Sequence, residues 1–340
     1  MTMKRVTLDV IAQKVGVSKP VVYTVLNNRT NKGIFVGKKT KDAILKIAKD
    51  LGYVPSKSSR MLLTGRSDTI GIILQKIASP FSELVSHIHR EARGRNLDII
   101  TYLTDGDPVL EEHYVNVVRD GRVDGIIALA RSDGSLERYH KYSSPPYNLN
   151  ILFYGEPALG LPTVHFDEPQ VGRLAAGHLI DIGCKRLAFF GGSSHSPRAV
   201  SFVRFLEKQG HRAPLVFTGD KYTNFFPEGK ILAQQFLRLK NLPDGVFASN
   251  DYLAVALLSE ALRKGLKVPR DIAIMGCDNT ELCLYKRPTI TSIDINLPLI
   301  AKKIMERTEQ LIAGKRLRPL DTKVPVSLIV RESTERSNCE

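Results

Sequence analysis

Several side chains that could recognise a small molecule follow apolar segments of the chain: Ser79-Pro80-Phe81, Arg198, Asn250-Asp251 and Asp278. A guanidinium, an amide and carboxylates hydrogen-bond vicinal hydroxyl groups well, so this set suits a hydroxyl-rich ligand. Each residue also has a structural interpretation, because Asn250 or Asp251 can cap a helix and Asp278 can shape a turn. Singly, the structural interpretation is favoured; together, these residues indicate one binding cleft.

A second feature with possible chemistry is Gly191-Gly192-Ser193-Ser194-His195, which places serine beside histidine. The sequence has no GxSxG, HExxH, Walker A or GxGxxG motif, and its eight histidines form no cluster with ligand spacing. A glycine-rich ligand loop or a plain turn is therefore favoured over a catalytic role. We predict neither an enzyme, nor a metal site, nor a cofactor.

These residues must be positioned by the alternation of short apolar segments and amphipathic helices that follows Thr69. The predicted strands are Ile70–Leu74, Leu97–Tyr102, Gly125–Leu129, Asn150–Tyr154, Arg186–Phe190, Leu215–Phe217, Gly245–Ala248, Ile272–Gly276 and Thr289–Asp294. The predicted helices include Phe81–Asn96, Leu110–Arg119, Glu168–Ile182, Arg198–Lys208, Gly229–Leu239 and Asp251–Lys264. Such alternation requires parallel sheets covered by helices, and so many strands favour two doubly wound lobes. Lobes of this type bind ligands beyond the carboxyl ends of their strands.

The positive charge of the chain is concentrated at its amino-terminal end. The whole sequence of 340 residues has a formal net charge of +14, and residues 1–66 hold fourteen lysines and arginines against three aspartates. A solvated, lysine-rich surface commonly explains a run of charge. So large an excess within one small module is better explained by a polyanionic partner.

Composition restricts the class of protein further. Hydrophobic residues make up 43% of the sequence, as in folded, water-soluble proteins, and no apolar run approaches the roughly 18 residues of a membrane helix. The amino terminus lacks the apolar core of a signal peptide, and the four cysteines lack zinc-ligand spacing. We therefore expect a cytoplasmic protein with reduced thiols.

The basic module has the pattern of a helix-turn-helix. Thr7 can cap a helix over Leu8–Lys14, Gly16 can adopt the positive φ of a turn, and Ser18 can cap a second helix over Lys19–Leu26. A third helix is predicted at about Lys39–Leu51, before Gly52. A small helical bundle with no nucleic-acid role is the alternative. Charge, turn chemistry and position together favour DNA binding.

The residues of this module and of the segments after it resemble one known family. The matching segments are Val6-Thr7-Leu8-Asp9-Val10-Ile11-Ala12, Gly16-Val17-Ser18, Val25-Leu26-Asn27, Tyr53-Val54-Pro55, Arg60-Met61-Leu62, Thr69-Ile70-Gly71, Asp124-Gly125-Ile126-Ile127, Gly276-x-Asp278 and Arg331-Glu332-Ser333. In this order they resemble the lactose-repressor (LacI/GalR) family of bacterial transcription regulators, over essentially the whole chain.

The resemblance implies an all-α helix-turn-helix headpiece over residues 1–55, a hinge linker over 56–67, and a core over 68–340. The core would have the α/β fold of periplasmic binding proteins, with two doubly wound parallel-sheet lobes. Lobe 1 would comprise about 68–165 and 295–325, and lobe 2 about 166–294 and 326–340. Crossing segments near His165–Asp167, Asp294–Asn296 and Val324–Val326 would form the hinge between the lobes.

The resemblance also implies which residues bind DNA. The helix beginning at Lys19 would lie in the major groove, with Lys19, Pro20, Val21 and Thr24 facing base edges and Thr7, Ser18 and Asn27 on phosphates. Linker composition alone indicates a flexible tether. The family instead implies a hinge helix that includes Arg60 and inserts Leu62 into the minor groove. Tyr23-Thr24 replaces the family's usual Ser-Arg, and the loop over residues 28–37 is longer than usual.

For the core, the resemblance implies a sugar-like effector contacted by Arg198, Asn250 and Asp278, with Phe81 at the lip of the first lobe. Tyr222 and Phe225 could stack on a sugar ring. The implied function is a homodimeric repressor of carbohydrate-utilisation genes that binds a pseudo-palindromic operator. The alternatives are control by a co-repressor or a phosphoprotein partner, and, less favoured, a sugar-binding transport receptor or an enzyme on the same core fold.

Overall fold

A computed structural model describes residues 6–26, 36–53, 61, 65–129, 134–157, 159–219 and 226–336. The chain divides into two compact units, Met1–Ser67 and Asp68–Glu340. No helix among the described residues is both long enough and apolar enough to cross a membrane.

The described residues of the first unit form the helices α1 (Leu8–Val15), α2 (Lys19–Leu26) and α3 (Lys38–Asp50). Gly16 has φ 74° and its N–H donates to the Ala12 carbonyl, so the chain turns sharply between α1 and α2. The buried side chains that hold the helices together are Ile11, Ala12, Val22, Val25, Ile44 and Ala48. The helix-turn-helix predicted from local turn chemistry is present, and α2 has the predicted bounds.

The second unit contains two sheets, and the elements of the first sheet form lobe 1. Its strands are β1 (Thr69–Leu74), β2 (Asp98–Leu103), β3 (Gly125–Ala128), β4 (Ile151–Tyr154), β5 (Thr163–Phe166) and β11 (Asp321–Val324). Their spatial order is β11-β5-β4-β3-β1-β2, and every neighbouring pair is parallel. The helices of lobe 1 are α4 (Phe81–Arg93), α5 (Pro108–Arg119), α6 (Ser135–Ser143) and α11 (Leu297–Ile312). Strands β1, β3 and β4 are almost wholly buried because helices cover both faces of the sheet.

Lobe 2 is built around the second sheet. Its strands are β6 (Leu187–Phe190), β7 (Leu215–Phe217), β8 (Gly245–Ala248), β9 (Ala273–Cys277), β10 (Thr291–Asp294) and β12 (Ser327–Ile329), in the spatial order β12-β10-β9-β8-β6-β7. Only β12 among these strands is antiparallel to its neighbour, β10. The helices of lobe 2 are α7 (Glu168–Asp181), α8 (Pro197–Lys208), α9 (Phe226–Phe236) and α10 (Asp251–Arg263).

Two helices of lobe 2, α7 and α8, cross at very close range because of one glycine. A Cβ added to Gly172 would lie 2.1 Å from the Ser201 Oγ and 2.2 Å from the Arg198 carbonyl oxygen. Only a residue without a side chain therefore permits this crossing. Arg198 is the second residue of α8, so this close approach places its backbone directly against α7.

The chain passes between the two sheets three times. Residue 167 follows β5 and precedes α7, residues 295–296 link β10 to α11, and residues 325–326 link β11 to β12. A side-chain contact joins two of these passages, because the Lys323 Nζ donates to the Asp167 Oδ2 at 3.3 Å. The three passages form the covalent connection between lobe 1 and lobe 2.

The predicted fold class is confirmed: a helix-turn-helix headpiece precedes a core of two doubly wound lobes. The predicted bounds are close to those observed for most strands, whereas the helix predicted at Gly229–Leu239 lies at Phe226–Phe236. The prediction omitted α6, α11 and the strands β5, β11 and β12. Strand β11 is polar and lies at a sheet edge, where no apolar pattern is required.

Candidate functional site

The exposed face of the first unit presents the start of α2 to solvent. Ser18, Lys19 and Pro20 are exposed, Val21 is half-buried, and Thr7 is exposed at the start of α1. The Ser18 carbonyl accepts from the N–H groups of Val21 and Val22, which fixes the first turn of α2. Pro20 is tolerated here because a first-turn N–H has no partner within the helix. Thr7 occupies the N-cap position of α1, but its side chain makes no capping hydrogen bond.

Lys19 is held by a partner on the preceding helix. Its Nζ lies 2.9 Å from the Asp9 Oδ2, and both side chains are largely exposed. Such an exposed pair contributes little to stability, about 0–1 kcal/mol. In this structure the pair directs the ammonium group toward α1.

The burial of Thr24 corrects one sequence prediction. Its side chain is only 6% exposed and belongs to the face of α2 that packs on the other helices. An arginine at this position could extend past its neighbours to a base edge, but a threonine is too short to do so. We therefore remove Thr24 from the residues proposed to face bases. Asn27, Arg60 and Leu62 lie outside the described residues.

Exposed lysines outnumber exposed aspartates among the described residues of the first unit. The exposed lysines are Lys14, Lys19, Lys38, Lys39, Lys41, Lys46 and Lys49, against three exposed aspartates, Asp9, Asp42 and Asp50. The excess seen in the sequence is therefore at the surface of the folded unit, where it can attract a polyanion.

The second unit contains a cavity of about 670 Å³ between lobe 1 and lobe 2. It lies at the carboxyl ends of strands of both sheets, as expected for this architecture. Its lining residues are Leu74, Gln75, Lys76, Ala78, Ser79, Pro80, Phe81, Asp105, Leu129, Tyr154, Gly155, Glu156, His165, Phe166, Glu168, Gly192, Ser193, Ser196, Arg198, Ser249, Asn250, Asp278 and Ile295. Phe81, Arg198, Asn250 and Asp278, which sequence reasoning singled out, all lie in this one lining. Tyr222 and Phe225 lie outside the described residues.

Arg198 is held by a carboxylate that sequence reasoning missed. Its Nε and Nη2 each donate to the Glu168 carboxylate at 2.6 Å, and its Nη1 donates to the Ser249 carbonyl at 2.6 Å. The guanidinium also lies 5.6 Å from the centre of the Phe166 ring. Burial disfavours the charge of Arg198, but the adjacent Glu168 more than offsets this and raises the pKa of Arg198. A signal for Glu168 was present in the sequence, since it directly follows a predicted crossing segment.

Asn250 and Asp251 have different roles. The Asn250 Oδ1 accepts from the Leu253 N–H at 3.0 Å, so this residue caps α10 while also lining the cavity. Asp251 is fully buried behind the lining and accepts from the Ser292 Oγ at 2.6 Å and from the Thr280 N–H at 2.7 Å. Burial raises the pKa of Asp251 to about 6, although these hydrogen bonds act in the opposite direction. The structural interpretation holds for Asp251, which anchors the loop after β9.

Asp278 lies on that loop, directly after β9. Its φ of 105° is unusual for a residue with a side chain, and its N–H donates to the Ile293 carbonyl at 2.9 Å. Burial is the main cause that raises the pKa of the Asp278 carboxyl well above its ordinary value, although Arg198 acts to lower it. The neighbouring Asn279 is held by Arg331, whose Nη2 donates to the Asn279 Oδ1 at 2.6 Å. The loop therefore keeps a strained conformation that directs a buried carboxyl toward the cavity.

Aromatic side chains supply the apolar part of the cavity. Phe81 meets Tyr154 edge to face, with ring centres 6.4 Å apart, and Phe166 lies beneath Arg198. Tyr154 and Phe166 were missed in the sequence because both occupy ordinary apolar strand positions. A mixed lining of aromatic rings and hydrogen-bonding groups is typical of small-molecule sites.

The glycine-rich segment after β6 contributes backbone to the cavity. Gly191 and Gly192 have φ of 78° and 62°, and Gly192 and Ser193 belong to the lining. The Ser194 Oγ lies 3.2 Å from the His195 Nδ1, but both residues are exposed and outside the lining. Gly192 and Ser193 therefore line the cavity whereas Ser194 and His195 do not, and the prediction of a ligand loop or a plain turn stays a prediction.

Known proteins of similar sequence and structure match nearly the whole chain, including both units. Residues 176–334 match the family described as "Periplasmic binding protein-like domain". The chain is 29% identical to the NTD biosynthesis operon regulator NtdR of Bacillus subtilis, over 96% of this chain and 99% of that protein. It is 28% identical to the HTH-type transcriptional repressor CytR of Escherichia coli K12, over 96% of each chain. The fold matches the Lac repressor dimer bound to operator and the anti-inducer ONPF, with a TM-score of 0.85, 22% identity, and coverage of 97% of this chain and 99% of that one.

Proposed function

Because the chain belongs to the lactose-repressor (LacI/GalR) family of bacterial transcription regulators, we propose that it represses carbohydrate-utilisation genes under the control of a small effector. It is a DNA-binding regulator and not an enzyme. One observation supports the proposal above all others: a cationic helix-turn-helix unit and a ligand cavity lined by hydrogen-bonding groups occur in one chain. We place the protein in the cytoplasm, where its DNA partner is.

We assign the reading of DNA to the start of α2. Lys19, Pro20 and Val21 would face base edges in the major groove, while Thr7, Ser18 and Asn27 would contact phosphates. Arg60 and Leu62 of the linker would contact the minor groove at the centre of the operator, with Leu62 unstacking a base step.

We propose that the regulator is a homodimer on a pseudo-palindromic operator. Strand β2 ends its sheet and exposes the apolar side chains of Ile100 and Leu103. Ile77, which follows β1, is 66% exposed. Apolar side chains at a free sheet edge favour burial against a second copy of the chain. Two-fold symmetry would then place two copies of α2 on two half-sites.

We assign the effector to the cavity between the lobes. Phe81 belongs to lobe 1, whereas Arg198, Asn250 and Asp278 belong to lobe 2, so a ligand that contacts all four favours one relative position of the lobes. The ligand increases the fraction of molecules in that arrangement of the lobes because it binds that arrangement more tightly than the others. The size of the shift is set by this difference in affinity. The linker over residues 56–67 would carry this difference to the DNA-binding unit.

Mapping the genomic fragments that the purified protein retains tests the proposal. We expect enrichment of a short inverted repeat near carbohydrate-utilisation genes, and a loss of retention when the correct sugar is added. The logarithm of the binding constant should fall with the logarithm of the salt concentration, by about 0.9 per phosphate contact. Retention without any sequence preference, or a flat response to salt, would contradict the proposal. A gain of retention with the ligand would identify a co-repressor.

A further inference from the structure

The charged groups of the cavity are unequal in number. Among the described residues, four with carboxyl groups line it, Asp105, Glu156, Glu168 and Asp278, against two with basic side chains, Lys76 and Arg198. Lys76, Asp105 and Glu156 are exposed at its rim, whereas Glu168, Arg198 and Asp278 lie deeper. The cavity therefore attracts a cation more readily than an anion.

The deeper cation, Arg198, already has its charge balanced. The Arg198 Nε and Nη2 both donate to the Glu168 carboxylate, and the Arg198 Nη1 donates to the Ser249 carbonyl. Two of the five N–H groups of the guanidinium remain for a ligand, and its charge is balanced by Glu168. A phosphate or carboxylate placed beside Asp278 would therefore have as its nearest described basic group a guanidinium already paired with Glu168, while Lys76 lies at the rim.

Asp278 has no such direct ion pair, although Arg198 acts on its carboxyl at longer range and the Cys277 side chain hydrogen-bonds to it. In the part of the chain that the structure describes, no lysine or arginine forms an ion pair with it, although it is only 7% exposed. The Ser249 Oγ is also buried and, among the described residues, has no hydrogen-bond partner. It faces Gly192 of the glycine-rich segment, where an added Cβ would lie 2.8 Å from it. A buried acceptor and a buried hydroxyl are therefore available at the cavity for a ligand.

We propose that the effector is a polyhydroxylated amine, such as an amino sugar, whose ammonium group pairs with Asp278 and whose hydroxyl groups are bound by Asn250, Arg198 and Ser249. This inference rests on the proposed function, because it takes the cavity as the effector site. It adds the charge of the ligand, which neither the fold nor the relatives specify.

The electrostatics of the cavity agree with this choice. Burial raises the pKa of Asp278 and so opposes its ionisation, whereas a neighbouring ammonium group favours the carboxylate and would offset that cost with a charge-assisted hydrogen bond. Asp105 and Glu156 at the rim add negative potential along the entry path. A neutral sugar would gain neither contribution.

The test compares matched ligands on the full-length protein by calorimetry and thermal shift. Glucosamine is paired with glucose, galactosamine with galactose, and N-acetylglucosamine and glucose 6-phosphate complete the set. We expect at least one amine to bind about tenfold more tightly than its neutral partner, since a charged hydrogen bond exceeds a neutral one by about that factor. The inference would be overturned if both members of every pair bound equally, or if no amine bound. It would also be overturned if the acetylated or phosphorylated sugar bound more tightly than the amines.

A variant then locates the ammonium group. Asp278→Asn keeps the size of the side chain and removes its charge, so the preference for the amine should fall to within about twofold of the neutral sugar. Asp120→Asn, at the exposed end of α5 and outside the cavity, removes the same charge and should keep the full preference. An undiminished preference in Asp278→Asn would refute the pairing. Specific retention of DNA fragments, measured on the same samples, separates a failure of this inference from a failure of the proposed function.

Discussion

Removing the carboxylate of Glu168 should destabilise the core more than any comparable surface change. Glu168→Gln leaves the Arg198 guanidinium buried without its charge partner, although the amide oxygen can still accept one hydrogen bond. Breaking a fully buried pair costs about 3–5 kcal/mol. The two side chains are 14% and 21% exposed, so solvent screens part of the loss, and we expect about 2–3 kcal/mol.

Thermal and urea unfolding of the full-length protein measure this loss. For a unit of this size, such a change lowers the melting temperature by about 5–8 °C. Glu306→Gln is the matched control, because its ion pair with Lys303 joins side chains that are 34% and 37% exposed and should contribute about 0.5 kcal/mol or less.

A double variant separates lost charge balance from lost packing. Glu168→Gln with Arg198→Gln removes both charges, so it should destabilise less than the sum of the two single changes, with a coupling of about 2 kcal/mol. Additive losses, or a Glu168→Gln loss no larger than that of Glu306→Gln, would refute the role assigned to this pair.

Three other changes test separate parts of the structure. Gly172→Ala should lower the free energy of unfolding in urea by about 2–3 kcal/mol, because its Cβ would meet backbone and Ser201 at the α7–α8 crossing. The control Gly94→Ala, whose added Cβ has its nearest contact at 3.6 Å, should change this free energy little. Thr24→Val should leave operator selectivity unchanged within about twofold, since the residue is buried and its Oγ1 has no hydrogen-bond partner among the described residues. Lys19→Ala, in contrast, should cost about 1–3 kcal/mol of selectivity. A loss of selectivity in Thr24→Val would show that Thr24 contacts a base. Because burial raises the pKa of Asp251 to about 6, its ionisation should lower the free energy of unfolding by about 2–3 kcal/mol as pH rises from about 4 to above 6. The advantage of the native protein over Asp251→Asn should shrink over that range, and a constant difference would contradict the assignment.

The sequence was most informative where structure depends on near neighbours in the chain. The turn at Gly16, the bounds of α2 and the buried strands β1 and β8 follow from local conformational preference and hydrophobic pattern. These local signals also predicted the fold class. Strands β5, β11 and β12 escaped prediction because their apolar content is low or their segments are short, and pairing with distant strands defines them.

The same division applies to the cavity. Arg198, Asn250 and Asp278 could be proposed because each polar residue follows or ends a recognisable element, and a parallel sheet collects such ends at one edge. Glu168 could not be paired with Arg198 in advance, since 30 residues separate them and only the crossing at Gly172 brings α7 and α8 together.

By itself, the sequence determined the helix-turn-helix, the cationic character of the first unit and the alternation that builds two lobes, because these depend on residue types and short-range spacing. Only the tertiary structure decided that Thr24 is buried, that Asp251 supports a loop, and that Arg198 forms its ion pair with Glu168 while Asp278 forms none with the described residues. Burial and charge balance depend on which distant segments meet, and a linear pattern does not specify those meetings.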